Sequence, residues 1–172
     1  MRLYVERGYE QTTVAEIAGE AGLTARTFFR HFADKREVLF AGSEMLLGRM
    51  VEALDAAPPS DGPMRAVAAA LAAAAQVLGR DPEFSRRRQS IIDTAAELRE
   101  RELIKMVTIA EALTEGLRRR GVPDRDASVA AEAGIVVFRV AWAQWLADRS
   151  NPDLPTLMAA TLDRLIAVAA TR

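Results

Sequence analysis

The 172 residues contain no cysteine and a single histidine, His31. The first absence excludes a disulfide framework and any thiolate metal site, and the second leaves almost nothing for a metal centre or histidine-based catalysis. No paired carboxylates stand in a recognisable acid–base setting, so no catalytic residue, metal ligand or cofactor is assigned and no enzyme is expected. Aromatic residues supply only 6% of a chain that is 50% apolar, with alanine making up much of the difference. A composition rich in Ala and Leu, poor in alternating Val, Thr and Tyr, predicts an all-α fold. Net charge is also missing: the formal value is −1, so any nucleic-acid binding must come from a local basic face. No uninterrupted run of about 20 apolar residues occurs, and the opening MRLYVERGYE carries charges where a signal peptide would be apolar. These features predict a cytoplasmic protein without a membrane partner.

What is present is a set of helix punctuation marks. Residues 2–7 read as the end of a helix closed by Gly8, too short to stand alone and therefore expected to be the tail of an element whose beginning is missing. Thr13-Val-Ala-Glu16 fits the reciprocal capping box, placing a helix start at Val14. Val14, Ile17, Ala18 and Ala21 then recur at helical spacing until Gly22, a left-handed stop. Thr24 caps a second short helix over residues 25–31. Asp34-Lys-Arg-Glu37 repeats the box and predicts a long helix over 36–56. After the turn-rich DAAPPSDGP, helices are expected over 64–79, over 82–120 with a break near Ala95 to Leu98, over 124–149 and over 154–170. The chain divides on this reading into residues 1–45 and 46–172.

The stretch LTARTFFRHF, residues 23–32, holds two arginines and a histidine but no acid. Two short helices joined by a tight Gly-containing turn form a helix-turn-helix candidate, whose second helix would lie in a major groove lined by phosphates that repel carboxylates. Thr13 and Thr24 sit at helix N-termini, where free amides meet a phosphate oxygen. Ala25, Arg26 and Arg30 are the expected groove residues, since Ala meets a thymine methyl and Arg takes guanine through two hydrogen bonds. Thr27, His31 and Lys35 are assigned to the DNA backbone. Phe28 and Phe32 read as core, and Phe29 lies between the two faces. By periodicity alone, an ordinary surface hairpin with Phe inside and Arg outside is an equal reading.

The run from Glu6 to Phe40, ERGYEQTTVAEIAGEAGLTARTFFRHFADKREVLF, resembles the DNA-binding region of the TetR family of bacterial repressors. The match lies in Gly8-Tyr9, Thr12-Thr13-Val14, Ile17-Ala18, Ala21-Gly22-Leu23, Thr27 through Phe32 and Lys35. The resemblance implies a three-helix DNA-binding domain followed by a variable helical domain that binds an effector and dimerises. It implies a dimeric, ligand-responsive repressor on a palindromic operator; an activator on the same fold, or a helical interaction module that does not bind DNA, is the alternative. One departure stands out: where the family often has a tyrosine donating to a phosphate, Phe29 has no hydroxyl. Arg26, where many members have a small residue, offers a contact in exchange.

For the C-terminal part the resemblance implies dimerisation through the last two helices, with Val129, Ala133, Val137, Leu157, Thr161 and Leu165 as interface candidates. Effector candidates are Phe84, Arg88, Ile92, Met106, Ile109, Leu113, Phe138 and Trp142, because Met and aromatic residues suit an adaptable apolar cavity. Few polar groups lie among them, which favours an apolar or amphipathic effector. The triplet Arg86 to Arg88 lies near a helix start, where the dipole disfavours cations. It is a candidate for the phosphates of an acyl-coenzyme A, a ligand type sensed by family members that this half resembles. Arg118 to Arg120 precede Gly121 at a helix end and read as dipole partners.

Overall fold

The computed structural model describes residues 1–170. Within them the chain forms α1 (Arg2–Arg7), α2 (Val14–Glu20), α3 (Ala25–His31), a 3-10 turn (Arg36–Val38), α4 (Ser43–Asp55), α5 (Pro63–Leu78), α6 (Pro82–Ile92), α7 (Ala96–Arg119), α8 (Asp124–Ala147) and α9 (Leu154–Ala170), with no strand among the described residues. Local chemistry accounts for most boundaries. The Thr13 capping box is complete in both directions, Gly22 turns the chain at φ +67° between α2 and α3, and Pro63 occupies the first turn of α5, where no amide is needed.

The helix expected over 36–56 begins only at Ser43. Asp34 does act as a cap, its Oδ1 accepting from the amides of Arg36 at 2.8 Å and Glu37 at 3.3 Å. A single turn follows, because Glu37 carries its carboxylate to Arg101 on α7 and the carbonyl of Leu39 is taken by Arg88 on α6. The chain turns again before α4.

Two compact units result: Met1–Ser43 with Glu83–Ile104, and Glu44–Pro82 with the described residues from Lys105 onward. The first boundary, at Ser43, lies beside the division expected at residue 45. The first unit also takes α6 and the start of α7, because Ile91, Ile92, Ala95 and Leu98 complete an apolar cluster with Tyr4, Tyr9, Leu39 and Phe40.

The second unit is built on α5, α8 and α9, with α4 and α7 packed on the same core, around Met50, Leu71, Leu113, Leu117, Trp145 and Met158. Small residues set its spacing. A Cβ on Gly134 of α8 would lie 2.6 Å from Val67 Cγ1 on α5, and one on Gly116 of α7 would lie 2.9 Å from Leu54 Cδ2 on α4. Helix α8 is long and apolar enough to cross a membrane by length and composition, but much of that apolar surface covers the core of this unit: Ala127, Ala130, Ala131, Gly134, Val137, Phe138, Ala141 and Trp145 are buried. At the end of α7, Arg119 pairs with Asp55 at 3.0 Å. Arg120 donates to the carbonyls of Leu54, Ala57 and Pro58 at 3.2, 2.8 and 2.7 Å, closing the C-terminal end of α4.

Candidate nucleic-acid interface

Helices α2 and α3 pack together, and each buries one side chain, Ala18 and Phe28. Thr24 starts α3, its Oγ1 accepting from the Thr27 amide at 3.2 Å, and the two hydroxyls lie 3.1 Å apart. With Phe28 turned inward, Ala25, Arg26, Phe29, Arg30 and His31 are exposed and Thr27 is half-buried. Phe28 meets Phe29 edge-on and Phe32 at a tilt. Residues four apart share a line on a helix, so α3 presents an apolar row, Ala25 and Phe29, beside a guanidinium row, Arg26 and Arg30.

Charge is sorted around this face. Glu20 pairs with Arg2, Glu16 with Arg7 at 2.5 Å and Asp34 with Arg36 at 2.5 Å. Hydrogen bonds from the Thr13 amide and hydroxyl, then the nearby Arg7, hold the Glu16 carboxyl below its usual range. Those from the Arg36 side chain and amide do the same for Asp34 against a smaller opposing effect of burial. With Glu37 held by Arg101, four carboxylates of the first 43 residues are thus already matched, whereas neither Arg26 nor Arg30 has an ion-pair partner among the described residues.

Two of the expected backbone contacts are placed differently. Thr13 is exposed, but its hydroxyl donates to Glu16 Oε2 at 2.9 Å while accepting from the Glu16 amide. Lys35 spends its three donors on the carbonyls of Tyr9, Glu10 and Thr12, at 2.9, 3.2 and 3.2 Å, with its ammonium 4.3 Å from the Tyr9 ring centroid. In this structure it closes the turn between α1 and α2. Tyr4, which carried no signal in the sequence, donates to the Lys35 carbonyl at 2.6 Å. Burial, then the charge of Asp34, push its phenol well above the usual tyrosine value, so the proton stays in place for that bond.

The effector candidates divide between the two units. Phe84, Arg88 and Ile92 belong to the first unit, and Met106, Ile109, Leu113, Phe138 and Trp142 to the second. Phe84 is 49% exposed, and Ile92 is fully buried in the cluster of the first unit. Arg88 is committed: its Nε donates to the Leu39 carbonyl at 2.7 Å, its guanidinium lies 4.9 Å from the Phe40 ring centroid, and Glu102 stands 3.8 Å away. Burial lowers its pKa from the ordinary arginine value, opposed by Glu102. Arg86 is buried beside Glu83. Two of the three arginines are thus engaged with partners within the chain. In the second unit Ile109, Leu113 and Phe138 are core, with Met106 and Trp142 packed on it. Phe138, Trp142 and Trp145 form a stacked series with centroids 6.2 and 5.3 Å apart.

Of the interface candidates, Val137 is corrected: it is fully buried, because the face of α8 carrying Ala130, Gly134, Val137 and Ala141 turns inward. Val129 is 70% exposed, Ala133 is half-buried, and the outward face continues with Val136 and Val140. On α9, Leu157 and Leu165 lean on the core, and Thr161 donates to the Leu157 carbonyl. Ile166 and Val168 point to solvent.

Comparison with known proteins gives matches at both ends of the chain. The family described as "Bacterial regulatory proteins, tetR family" matches residues 1–41, and that described as "MftR C-terminal domain" matches residues 61–170. The HTH-type transcriptional regulator TcmR of Streptomyces glaucescens is 39% identical over 80 residues, 46% of this chain and 34% of that protein. The chain thus covers about a third of this relative. Among solved structures, FadR of Thermus thermophilus, a TetR-family repressor in complex with lauroyl-CoA, superposes with a TM-score of 0.62 at 24% identity, covering 100% of this chain and 92% of that one. SmeT, repressor of the Stenotrophomonas maltophilia multidrug efflux pump SmeDEF, gives 0.62 at 22% identity, covering 97% and 84%. At these identities the structures speak for the fold.

Proposed function

The chain belongs to the TetR family of bacterial transcriptional regulators, which are not enzymes, and on that premise we propose that it is a cytoplasmic dimeric repressor that leaves a palindromic operator when a small apolar or amphipathic effector binds. One observation carries the DNA-binding part: α3 exposes Arg26 and Arg30 without acidic partners among the described residues while Glu16, Glu20 and Asp34 are paired. Arg26 and Arg30 are the guanine readers in this proposal, each bidentate contact contributing about 1–3 kcal/mol of discrimination. Ala25 and the exposed Phe29 meet thymine methyls. Thr24, Thr27 and His31 approach phosphates. Thr13 adds the N-terminus of α2, and Lys35 joins only by giving up one of its carbonyls.

Dimerisation is assigned to the outward face of α8, Val129, Ala133, Val136 and Val140, with Leu157, Leu165, Ile166 and Val168 of α9. Twofold symmetry of the protein would then match a palindrome. The effector is assigned to the second unit, near Met106, Ile109, Leu113, Phe138 and Trp142, where the side chains are apolar and aromatic. An acyl-CoA remains a candidate through its acyl chain, without the arginine triplet as a phosphate site. Whatever the effector, it must prefer the conformation that does not bind DNA; equal affinity for both would shift nothing.

Selection of random duplexes by the protein, followed by titration of the best sequence at several salt concentrations, tests the proposal. An enriched palindrome whose affinity falls steeply with salt is expected. Arg26→Ala with Arg30→Ala should remove the preference for it. Absence of enrichment by a folded dimer would sink the repressor reading.

A further inference from the structure

Of the side chains of α3 only Phe28 is buried, and it is not part of the apolar cluster formed by Tyr4, Tyr9, Phe40, Ile92 and Leu98 with their neighbours. The packing of α3 against α2 therefore stands apart from that cluster. The segment directly behind it, residues 34–40, is pinned from two directions. On one side Tyr4 donates to the Lys35 carbonyl, and the Lys35 ammonium holds the turn before α2. On the other, two arginines reach in from far along the chain: Arg101 Nε donates to Glu37 Oε1 at 2.6 Å, and Arg88 Nε donates to the Leu39 carbonyl at 2.7 Å with its guanidinium over Phe40. The side chains of Arg101 and Glu37 are 32% and 19% exposed, and those of Arg88 and Glu102 are 20% and 26% exposed. These are charge-assisted contacts in partly excluded water, less screened than ordinary surface pairs. All lie within the first unit.

We infer that Arg88 and Arg101 are positioning residues for operator recognition: they touch no base, and by clamping residues 37–40 they fix the orientation of α3 and so the direction in which Arg26 and Arg30 point. The inference rests on the DNA-binding reading above. It separates two kinds of affinity. Binding to any duplex needs only positive charge near phosphates, whereas binding to one sequence needs the guanidinium row of α3 to be aimed. Loss of the clamp therefore costs specific binding and spares the rest.

The test compares the wild-type protein with Arg101→Ala, Arg88→Ala, Arg88→Lys and the exchanged pair Glu37→Arg with Arg101→Glu, at a temperature where circular dichroism shows each to be folded. Each is titrated with the selected operator duplex and with a random duplex of equal length. Arg101→Ala and Arg88→Ala, or Arg88→Lys should the alanine variant not fold, are expected to lose at least about tenfold in operator affinity and to stay within about twofold on the random duplex. The exchanged pair should recover most of the loss of Arg101→Ala. In the free variants, amide hydrogen exchange over residues 25–31 should quicken while that over 127–141 is unchanged. Equal losses on both duplexes, operator affinity unchanged, no recovery in the exchanged pair, or unchanged exchange over residues 25–31 would each overturn the inference. Failure of the wild-type protein to prefer any duplex would overturn the DNA-binding reading instead, and the exchange measurement would still decide whether the clamp orients α3.

Discussion

The two units hold themselves together by different means. In the first, α1, α2 and α3 are each seven or fewer residues long, the apolar cluster is small, and polar ties do much of the fastening: the Thr13 box, Tyr4 to Lys35, Lys35 to three carbonyls, Arg88 to Leu39, Arg101 to Glu37. In the second, α5, α8 and α9 approach closely because Ala66, Ala70, Ala74, Ala130 and Gly134 leave no side chain in the way, and the core is a contiguous apolar mass. A unit fastened by discrete ties can lose one and keep its fold with a changed angle. A close-packed one resists until its packing fails, because interiors transmit strain and tolerate little change in volume. The surface proposed to read DNA stands on the first kind of construction.

That contrast yields predictions that begin with the heaviest blow to the packed unit. Leu113→Ala, at a fully buried site, should destabilise the protein by about 2–5 kcal/mol through lost transfer energy and a residual cavity, measured by urea denaturation. Hydrogen exchange should show α5 and α8 losing protection ahead of α2 and α3; simultaneous loss would break the contrast. Gly134→Ala comes next, because its new methyl would stand 2.6 Å from Val67 Cγ1, an overpacking that costs about 1–3 kcal/mol. Val67→Ala in the same chain should return much of it, and absence of any coupling would mean that the helices simply separate.

The local punctuation of the fold was open to reading from the sequence, and the ties across it were not. Thr13, Gly22 and Thr24 act on amides and turns within a few residues, so their spacing alone placed α2 and α3 where the structure has them. Arg88 and Arg101 reach partners 49 and 64 residues away, and nothing in a local pattern reports such a distance. The same blindness put the start of α4 too early, since Glu37 belongs to a contact with α7 and not to a helix cap. Val137 was misplaced for another reason: α8 is apolar around most of its circumference, so periodicity gives no phase, and Val136 and Val137 look alike until one is seen exposed and the other buried. On α3, the acid-free stretch did mark the exposed face, because charge sorting of this kind is written residue by residue.

Smaller effects sharpen the comparison on the polar side. Thr13→Ala should cost about 1 kcal/mol through loss of the cap and should appear as faster exchange in α2 with α5 and α8 unchanged. Acid gives the mildest separation. The folded pKa of Asp34 lies below its unfolded value, so the stabilisation is fully present above the unfolded value, near 3.8, and is lost as pH falls through the folded one. A titration from pH 5 downward should loosen residues 34–40 before the apolar core of the second unit responds, and Asp34→Asn should abolish that early phase. The change will be small, since both side chains of the Asp34–Arg36 pair are over a third exposed to solvent.

The only tryptophans, Trp142 and Trp145, stack on one another within the second unit, and the only tyrosines, Tyr4 and Tyr9, lie 5.5 Å apart within the first. The chain thus carries two separate chromophore pairs, one per unit. Emission excited at the red edge of the indole band hears only the second unit, while near-ultraviolet signals in the tyrosine region include the first. A melt or an effector titration followed at both wavelengths would resolve the two halves of this molecule without a label.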